Sequence, residues 1–249
     1  ERVRPDAVLL IDAPEFNFRV AKIARALNIP VYYFIPPKVW AWRTGRVKFL
    51  KEHIRRIFSI LPFEVDFYRA HGMDVTYVGN PLVDLVDYEG IRDVSPVPHR
   101  IGLMPGSRRK EVDSLMPAFA GAARLLVERF PDLEFHCIRS SNFSEEYLRS
   151  LWNCDIPLVM HDGHDRYRLM RSFQCMLAAS GTATLETGLA GVPTLVAYKV
   201  SPLSYQIALR VLKVKWISLT NLIMNRCVFP EHIEKDADPE PMARRVEDW

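Results

Sequence analysis

Paired cysteines, long apolar runs and a dominant charge sign are all missing from this chain, and each absence removes a class of protein. The four cysteines, Cys137, Cys154, Cys175 and Cys227, show no paired spacing. That excludes a disulfide scaffold, and the apolar surroundings of three of them fit reduced, buried thiols in a cytosolic protein. No apolar run reaches the ~20 residues of a membrane-spanning helix, and the first residues of the sequence do not read as a signal peptide. Lys and Arg number 33 against 30 Asp and Glu, so the net charge of +3 gives no argument for nucleic acid. Solenoid repeats and low-complexity segments are also absent. Position 1 is not Met and a buried strand follows almost at once, so the chain is expected to be a fragment whose front has been lost.

What remains is an ordinary soluble globular composition, 49% hydrophobic and 25% charged over 249 residues, enough for one large or two ordinary domains. The chain is organised around Gln174 to Val196. The apolar run Cys175 to Ala179 reads as a buried strand that breaks at Ser180-Gly181-Thr182 into a helix, which closes at Gly191 before Pro193 and a second buried run. In a parallel α/β sheet the turn beyond such a strand faces ligands, with unpaired N–H groups at the helix start. Small or hydroxylated residues from Ser180 to Thr184 let a diphosphate approach the backbone, and the Glu186 carboxylate can accept ribose hydroxyls. The alternative is a plain helix start with Thr182 as N-cap, although Leu185, not Glu, stands three residues on.

In chain order, Ala7 to Ile11 is a strand and Phe16 to Leu27 a helix, with the turn Asp12-Ala13-Pro14-Glu15 between them. Asp12 therefore lies at a strand end, where it serves either a cleft or, with Glu15, a capping box. Val31 to Ile35, Ile54 to Ile60 and Val75 to Val78 are further strands, and Phe63 to Arg69 a helix. Val83 to Arg100 has the prolines, glycine and mixed charge of an interdomain linker. A second domain opens with the strand Ile101 to Met104, the turn Pro105-Gly106-Ser107-Arg108 and a long helix. The Arg108 guanidinium has the fork to grip a phosphate. Leu133 to Ile138 and Leu158 to His161 are strands, Ser144 to Leu151 a helix, and Tyr198 to Lys215 an aromatic, basic amphipathic region. Ser218 to Leu222 reads as a compact connection and Pro230 to Trp249 as short helices with an acidic start.

Between Lys38 and Arg56 seven basic residues face only Glu52, interleaved with Trp40, Trp42 and Phe49. That mixture suits an anionic lipid surface or a nucleic-acid strand. It also suits an amphipathic helix with its aromatics turned inward. His161-Asp162-Gly163-His164-Asp165 invites a metal, but no further His or Cys stands at a zinc spacing. Asp236-Ala237-Asp238, between Lys235 and Pro239, reads as a polar turn.

The segments IDAPEFN (11–17), PPKVWAWR (36–43), LPFE (61–64), VGNPLVD (78–84), MPGSRRKEV (104–112), ASGTATLE (179–186) and SLTNLI (218–223) occur in an order that resembles the bacterial lipid-A-disaccharide synthases. From first to last they span residues 11–223, nearly the whole chain. The resemblance implies an α/β protein with two Rossmann-like domains of the GT-B type facing a cleft. The first domain, residues 1–90, would be the acceptor side, truncated at its front. The second, residues 91–249, would hold the UDP-sugar. It implies an inverting, metal-independent hexosyltransferase with no cofactor, acting in lipopolysaccharide biosynthesis. A 2,3-diacylglucosamine unit would move from UDP to 2,3-diacylglucosamine 1-phosphate, giving lipid A disaccharide 1-phosphate.

On that mapping Asp12 is the general base. Arg108, Ser180, Gly181 and Thr182 hold the diphosphate, Glu186 the ribose, and Asn221 lies near the donor. Trp40, Trp42 and Arg43 face the acceptor or the membrane, and no metal ligand is implied. The implied location is cytoplasmic, peripheral on the inner face of the bacterial inner membrane. Nucleic acid is not an expected partner, and a homo-oligomer is left open. Three departures stand out: the opening strand with its Gly-Glu-x-Ser-Gly-Asp loop is missing, Asn80 replaces a usual His, and Glu234 replaces a common Gln. The rivals are another GT-B UDP-sugar enzyme, such as a UDP-N-acetylglucosamine 2-epimerase or a muramyl-lipid transferase, a non-catalytic UDP-binding fragment, and a nucleic-acid module.

Overall fold

The computed structural model describes residues 3–41, 44–200, 205–206, 210 and 214–249. Trp42 and Arg43, and most of the amphipathic region expected over 198–215, lie outside the described residues. Two compact units emerge, the first ending at Asp84 and taking in residues 210 and 214, the second holding the rest. The division falls between Asp84 and Leu85, ahead of the expected break after residue 90. The reason is packing: Val86 and Ile91 are buried with Tyr167, Met170 and Phe173 in a core of the second unit. The expected linker thus carries two short helices, α4 (Pro81–Asp84) and α5 (Tyr88–Arg92), with the Asp87 side chain capping α5.

The first unit alternates β1 (Val8–Ile11), α1 (Pro14–Ala26), β2 (Val31–Phe34), α2 (Val47–His53), β3 (Arg56–Ser59), α3 (Pro62–Ala70) and β4 (Val75–Tyr77). Its four strands are parallel and lie in simple order, β1-β2-β3-β4. The core joins Leu10, Val31, Tyr33 and Ile57 of the sheet to Ala21 and Ala24 of α1, Leu50 of α2 and Tyr68 of α3. The recurrence read in the sequence, Phe16, Val20, Ile23, Ala24 and Leu27, makes only part of this contact: Ala24 is buried and Val20 packs on the core, whereas Phe16 and Ile23 are exposed and Asn17 and Ala21 are buried in their place.

In the second unit the elements are β5 (Val97–Met104), α6 (Arg109–Val127), β6 (Glu134–Ile138), α7 (Glu145–Leu151), β7 (Leu158–His161), α8 (Arg166–Arg171), β8 (Phe173–Ala179), α9 (Thr182–Ala190), β9 (Thr194–Tyr198), α10 (Leu219–Met224), β10 (Glu231–Ile233) and α11 (Pro239–Glu247). Two expectations need correction here. Ser218 to Leu222 is the start of α10, because the Ser218 hydroxyl accepts from the Asn221 N–H as an N-cap. The acidic start of the last segment is a strand, β10, whose three residues are too few to show a period of two, and it forms through parallel pairing with β9.

The six parallel strands run β10-β9-β8-β5-β6-β7. From the β7 end, this is the third, second, first, fourth, fifth and sixth strand of the unit, the doubly wound order of dinucleotide-binding folds. Helices cover both faces. On one, α6 and α11 pack Val112, Phe119 and Met242 against Leu103, Leu177 and Leu195. On the other, Tyr167 and Met170 of α8 and Ala190 of α9 meet Ile138 and Met176. Burial on both faces explains the unbroken apolar run of β8, where a one-sided sheet would show alternation.

Candidate functional site

Chain direction in the second sheet reverses between β5 and β8: β5 leads out through α6 to β6, β8 the other way through α9 to β9. At such a reversal the two strand ends open a crevice with a helix start on each side. The turns there are Gly106-Ser107-Arg108 and Ser180-Gly181-Thr182, and they are adjacent in space. A Cβ at Gly106 would stand 3.3 Å from that of Ala179 and 2.7 Å from Glu111 Oε2, and Gly106 has φ 112°. Glycine is therefore required at 106 by the chain itself. It is not required at 181, whose extended backbone (φ 162°) suits any residue and where a Cβ would meet no protein atom within 4 Å.

Thr182 is exposed and opens α9, with Gly181 as N-cap and no side-chain cap. The N-cap role considered for Thr182 thus falls one residue too late. The first N–H groups of a helix have no partner within it, and the dipole favours an anion there. The Ser180 hydroxyl donates to the Ile217 carbonyl, 3.0 Å, which ties the turn to the segment leading into α10. Arg108 is 81% exposed and reaches Glu111 Oε1 at 2.8 Å through one arm of its fork. Glu111 also accepts from the Arg108 N–H at 3.3 Å. An exposed pair of this kind is weak, so a phosphate can compete for the guanidinium. Glu111 stands at capping-box spacing, a signal present in the sequence.

Glu186 is 6% exposed, in the second turn of α9. Its Oε1 is 2.9 Å from Arg166 Nη2 and accepts from the Tyr167 hydroxyl at 3.3 Å. Burial raises its pKa, opposed by Arg166 and Tyr167. Neither partner carried a signal in the sequence, because the loop ahead of α8 is notable there only for its His and Asp residues.

Asn221 is fully buried, and its amide is fully used. Its Oδ1 accepts from the N–H groups of Val228 (2.8 Å) and Phe229 (2.9 Å). Its Nδ2 donates to the Phe229 carbonyl and to Glu231 Oε1, both at 2.8 Å. These four bonds hold the chain around α10 and occupy both amide hydrogens of the side chain. Glu231, unmarked in the sequence, also accepts from the Ile217 and Ser218 N–H groups, both at 2.9 Å.

In the first unit, Asp12 is exposed at the carboxyl end of β1 with φ 44°, and Ala13 follows with φ 38°. Two successive left-handed residues without glycine are costly. Buried neighbours hold them: Asn17 Nδ2 donates to the carbonyls of Ile11 (2.9 Å) and Asp12 (2.7 Å), and the Tyr33 hydroxyl to that of Asp12 (2.6 Å). Burial, with the Asp12 charge adding and Asn17 opposing, pushes the Tyr33 phenol up to about 12, so it remains a donor at neutral pH. The N-cap of α1 is Ala13, with no side-chain cap. The capping box is therefore absent, since the left-handed turn carries the Asp12 side chain out of N-cap position.

Trp40 does not face outward. It is 9% exposed, its indole N–H donates to Glu64 Oε1 at 2.7 Å, and its ring meets Phe63 edge-on. The correction has a plain cause, since a buried indole donor needs an acceptor and the buried Glu64 carboxylate supplies it. Burial raises the Glu64 pKa against the opposing Ser59, Trp40 and Lys38. Asn80 Oδ1 accepts from the Leu82 N–H (3.1 Å), and Glu234 Oε1 from the Val200 N–H (2.8 Å).

Among the described residues no group of three or more His, Cys, Asp and Glu is arranged to hold a metal. His161 instead pairs with His136, Nδ1 of His136 lying 3.0 Å from its Nε2. One proton joins these nitrogens, and a second would set N–H against N–H. Burial first, then the Arg100 charge, lowers the pKa of His161; burial also leads for His136, where Glu134 opposes. Folded pKa values below the unfolded one near 6.5 mean stability that is full above that pH and lost as pH falls through it. His161→Phe should therefore show a smaller drop in melting temperature from pH 7 to pH 5 than the unaltered chain. Equal drops would mean that the pair does not titrate on unfolding.

The family described as lipid-A-disaccharide synthetase matches residues 1–247. The chain belongs to that family. The lipid-A-disaccharide synthase of Trichlorobacter lovleyi is 40% identical over 251 residues, covering 97% of this chain and 65% of that protein. That of Geobacter sulfurreducens is 39% identical over 257 residues, with the same two coverages. The chain thus spans 65% of the length of these family members. Among solved structures, the Methanocaldococcus jannaschii UDP-GlcNAc 2-epimerase in complex with UDP-GlcNAc and UDP superposes with a TM-score of 0.61 at 14% identity, over 99% of this chain and 69% of that one. A UDP co-structure of S. aureus MnaA gives 0.55 at 18% identity, over 89% and 66%. At these identities the likeness is one of fold, and it agrees with the two Rossmann-like lobes of a GT-B protein.

Proposed function

We propose that the chain transfers 2,3-diacylglucosamine from UDP to 2,3-diacylglucosamine 1-phosphate with inversion, as a lipid-A-disaccharide synthase. The observation that carries this reading is the meeting of two small-residue turns, 106–108 and 180–182, at the strand reversal of a chain in this family. The start of α9 receives the diphosphate, Arg108 leaves Glu111 to neutralise charge as UDP departs, and Glu186 accepts from the ribose. Asp12, in the first unit, takes the proton of the acceptor hydroxyl. The chemistry calls on no metal or cofactor. The acceptor is a lipid and no helix of the described residues is long and apolar enough to cross a membrane, so we read the protein as working at the cytoplasmic membrane surface.

Calorimetric titration with UDP, followed by addition of both lipid substrates and detection of disaccharide, tests the reading. Heat of binding and product are expected; binding without product would leave a UDP-binding fragment. Gly181→Ala sharpens the test, since neither its backbone nor its neighbours demand glycine. UDP affinity should fall by about tenfold or more from the added methyl at the diphosphate, with little change in melting temperature. Unchanged affinity would move the diphosphate away from this turn.

A further inference from the structure

The loop from β7 to α8 has no role in that scheme, yet α8 supplies both partners of Glu186. Arg166 Nη2 stands 2.9 Å from Oε1, and the Tyr167 hydroxyl donates to the same oxygen at 3.3 Å. The Arg166 guanidinium also lies over the Tyr167 ring, 5.3 Å from its centroid. Tyr167 is anchored in the core between Met170 and Phe173. Both contacts fall on Oε1, and among the described residues no hydrogen bond reaches Oε2. Arg166 itself is 38% exposed, so it sits at the boundary between this buried carboxylate and solvent.

We propose that Arg166 is a positioning residue that makes the site selective for a ribonucleoside diphosphate over its 2′-deoxy counterpart, by fixing Oε1 of Glu186 so that Oε2 accepts from the 2′-hydroxyl of the sugar. The inference rests on the UDP reading of the site. A carboxylate with one oxygen pinned by a charge-assisted bond cannot rotate away from the ligand. Without Arg166, a carboxylate this deeply buried has only the Tyr167 hydroxyl to orient it, and it loses the charge that opposes the upward pull of burial on its pKa. A hydroxyl-accepting group that is misdirected or protonated no longer rewards the 2′-hydroxyl. Affinity for UDP should then fall toward that for dUDP, while dUDP affinity changes little.

The test is a pair of titrations, UDP and dUDP, on the full chain and on Arg166→Met and Arg166→Lys. The unaltered chain should prefer UDP by roughly tenfold or more, the size of a hydrogen bond to a charged acceptor. Arg166→Met should reduce that ratio to within about threefold, and Arg166→Lys should restore part of it. A merely structural Arg166 would weaken both ligands alike and leave the ratio intact, which overturns the inference. So does a ratio that survives in Arg166→Met at unchanged affinity. Should Arg166→Met not fold, the Lys variant decides alone: a planar fork lost to a point charge must lower the ratio, and an unaltered ratio overturns the proposal. If the unaltered chain binds UDP without preferring it to dUDP, this inference fails while the UDP site stands. No binding of either ligand overturns both.

Discussion

Replacing Asp12 by Asn should lower the rate of disaccharide formation by roughly a hundredfold or more, the usual size of a general-base contribution, without lowering the melting temperature. The geometry makes this substitution cleaner than the sequence suggests. Asp12 caps nothing with its side chain, because the N-cap of α1 is Ala13, so no cap is at risk. Its left-handed backbone, φ 44°, is one that Asn adopts readily. The carbonyl contacts from Asn17 and Tyr33 are made to the backbone and survive the change. Asp12→Ala is the poorer probe, since alanine would bear a left-handed strain on the order of 1–2 kcal/mol. Product formation with matched melting curves is the measurement. A variant that melts far earlier while its folded fraction turns over normally would place the base elsewhere.

Asn221→Ala should act through stability. It removes an amide that satisfies the N–H groups of Val228 and Phe229, the Phe229 carbonyl and one oxygen of Glu231 in a fully buried position. Each buried group left without a partner costs about 1–3 kcal/mol, and the sum is expected to reach about 4 kcal/mol or more. In a unit of this size the melting temperature should fall by roughly 10 °C. Differential scanning calorimetry, with UDP titration below the transition, separates the two roles. Unchanged melting with strongly weakened UDP binding would return Asn221 to direct contact with the donor.

These outcomes divide along a physical line. Parallel βα units are local: the buried run, the turn and the helix that packs back lie within some thirty residues of one another. That is why β8, the turn at Ser180 and α9 were legible as a string of apolar, small and periodic residues, and why the family could be read from short motifs in order. Residue types likewise announced the glycine at 106 and the carboxylates at 12 and 186.

Tertiary structure alone decided what each polar group does, because a buried donor or acceptor takes whichever partner packing delivers. Trp40 and Glu64, 24 residues apart, satisfy each other, which decides at Trp40 between the two readings left open for that segment in favour of the aromatic turned inward. His136 and His161 meet only because β6 and β7 are neighbours in register. Asn221 is consumed by backbone seven and eight residues ahead, and one oxygen of Glu186 is held by a helix start that carried no signal. The crevice itself depends on β5 lying beside β8, seven decades of sequence away in the sense that Gly106 must reach Ala179. Local periodicity specifies elements; which strand ends meet, and with what charge between them, is settled only when the sheet assembles and every buried group finds its partner.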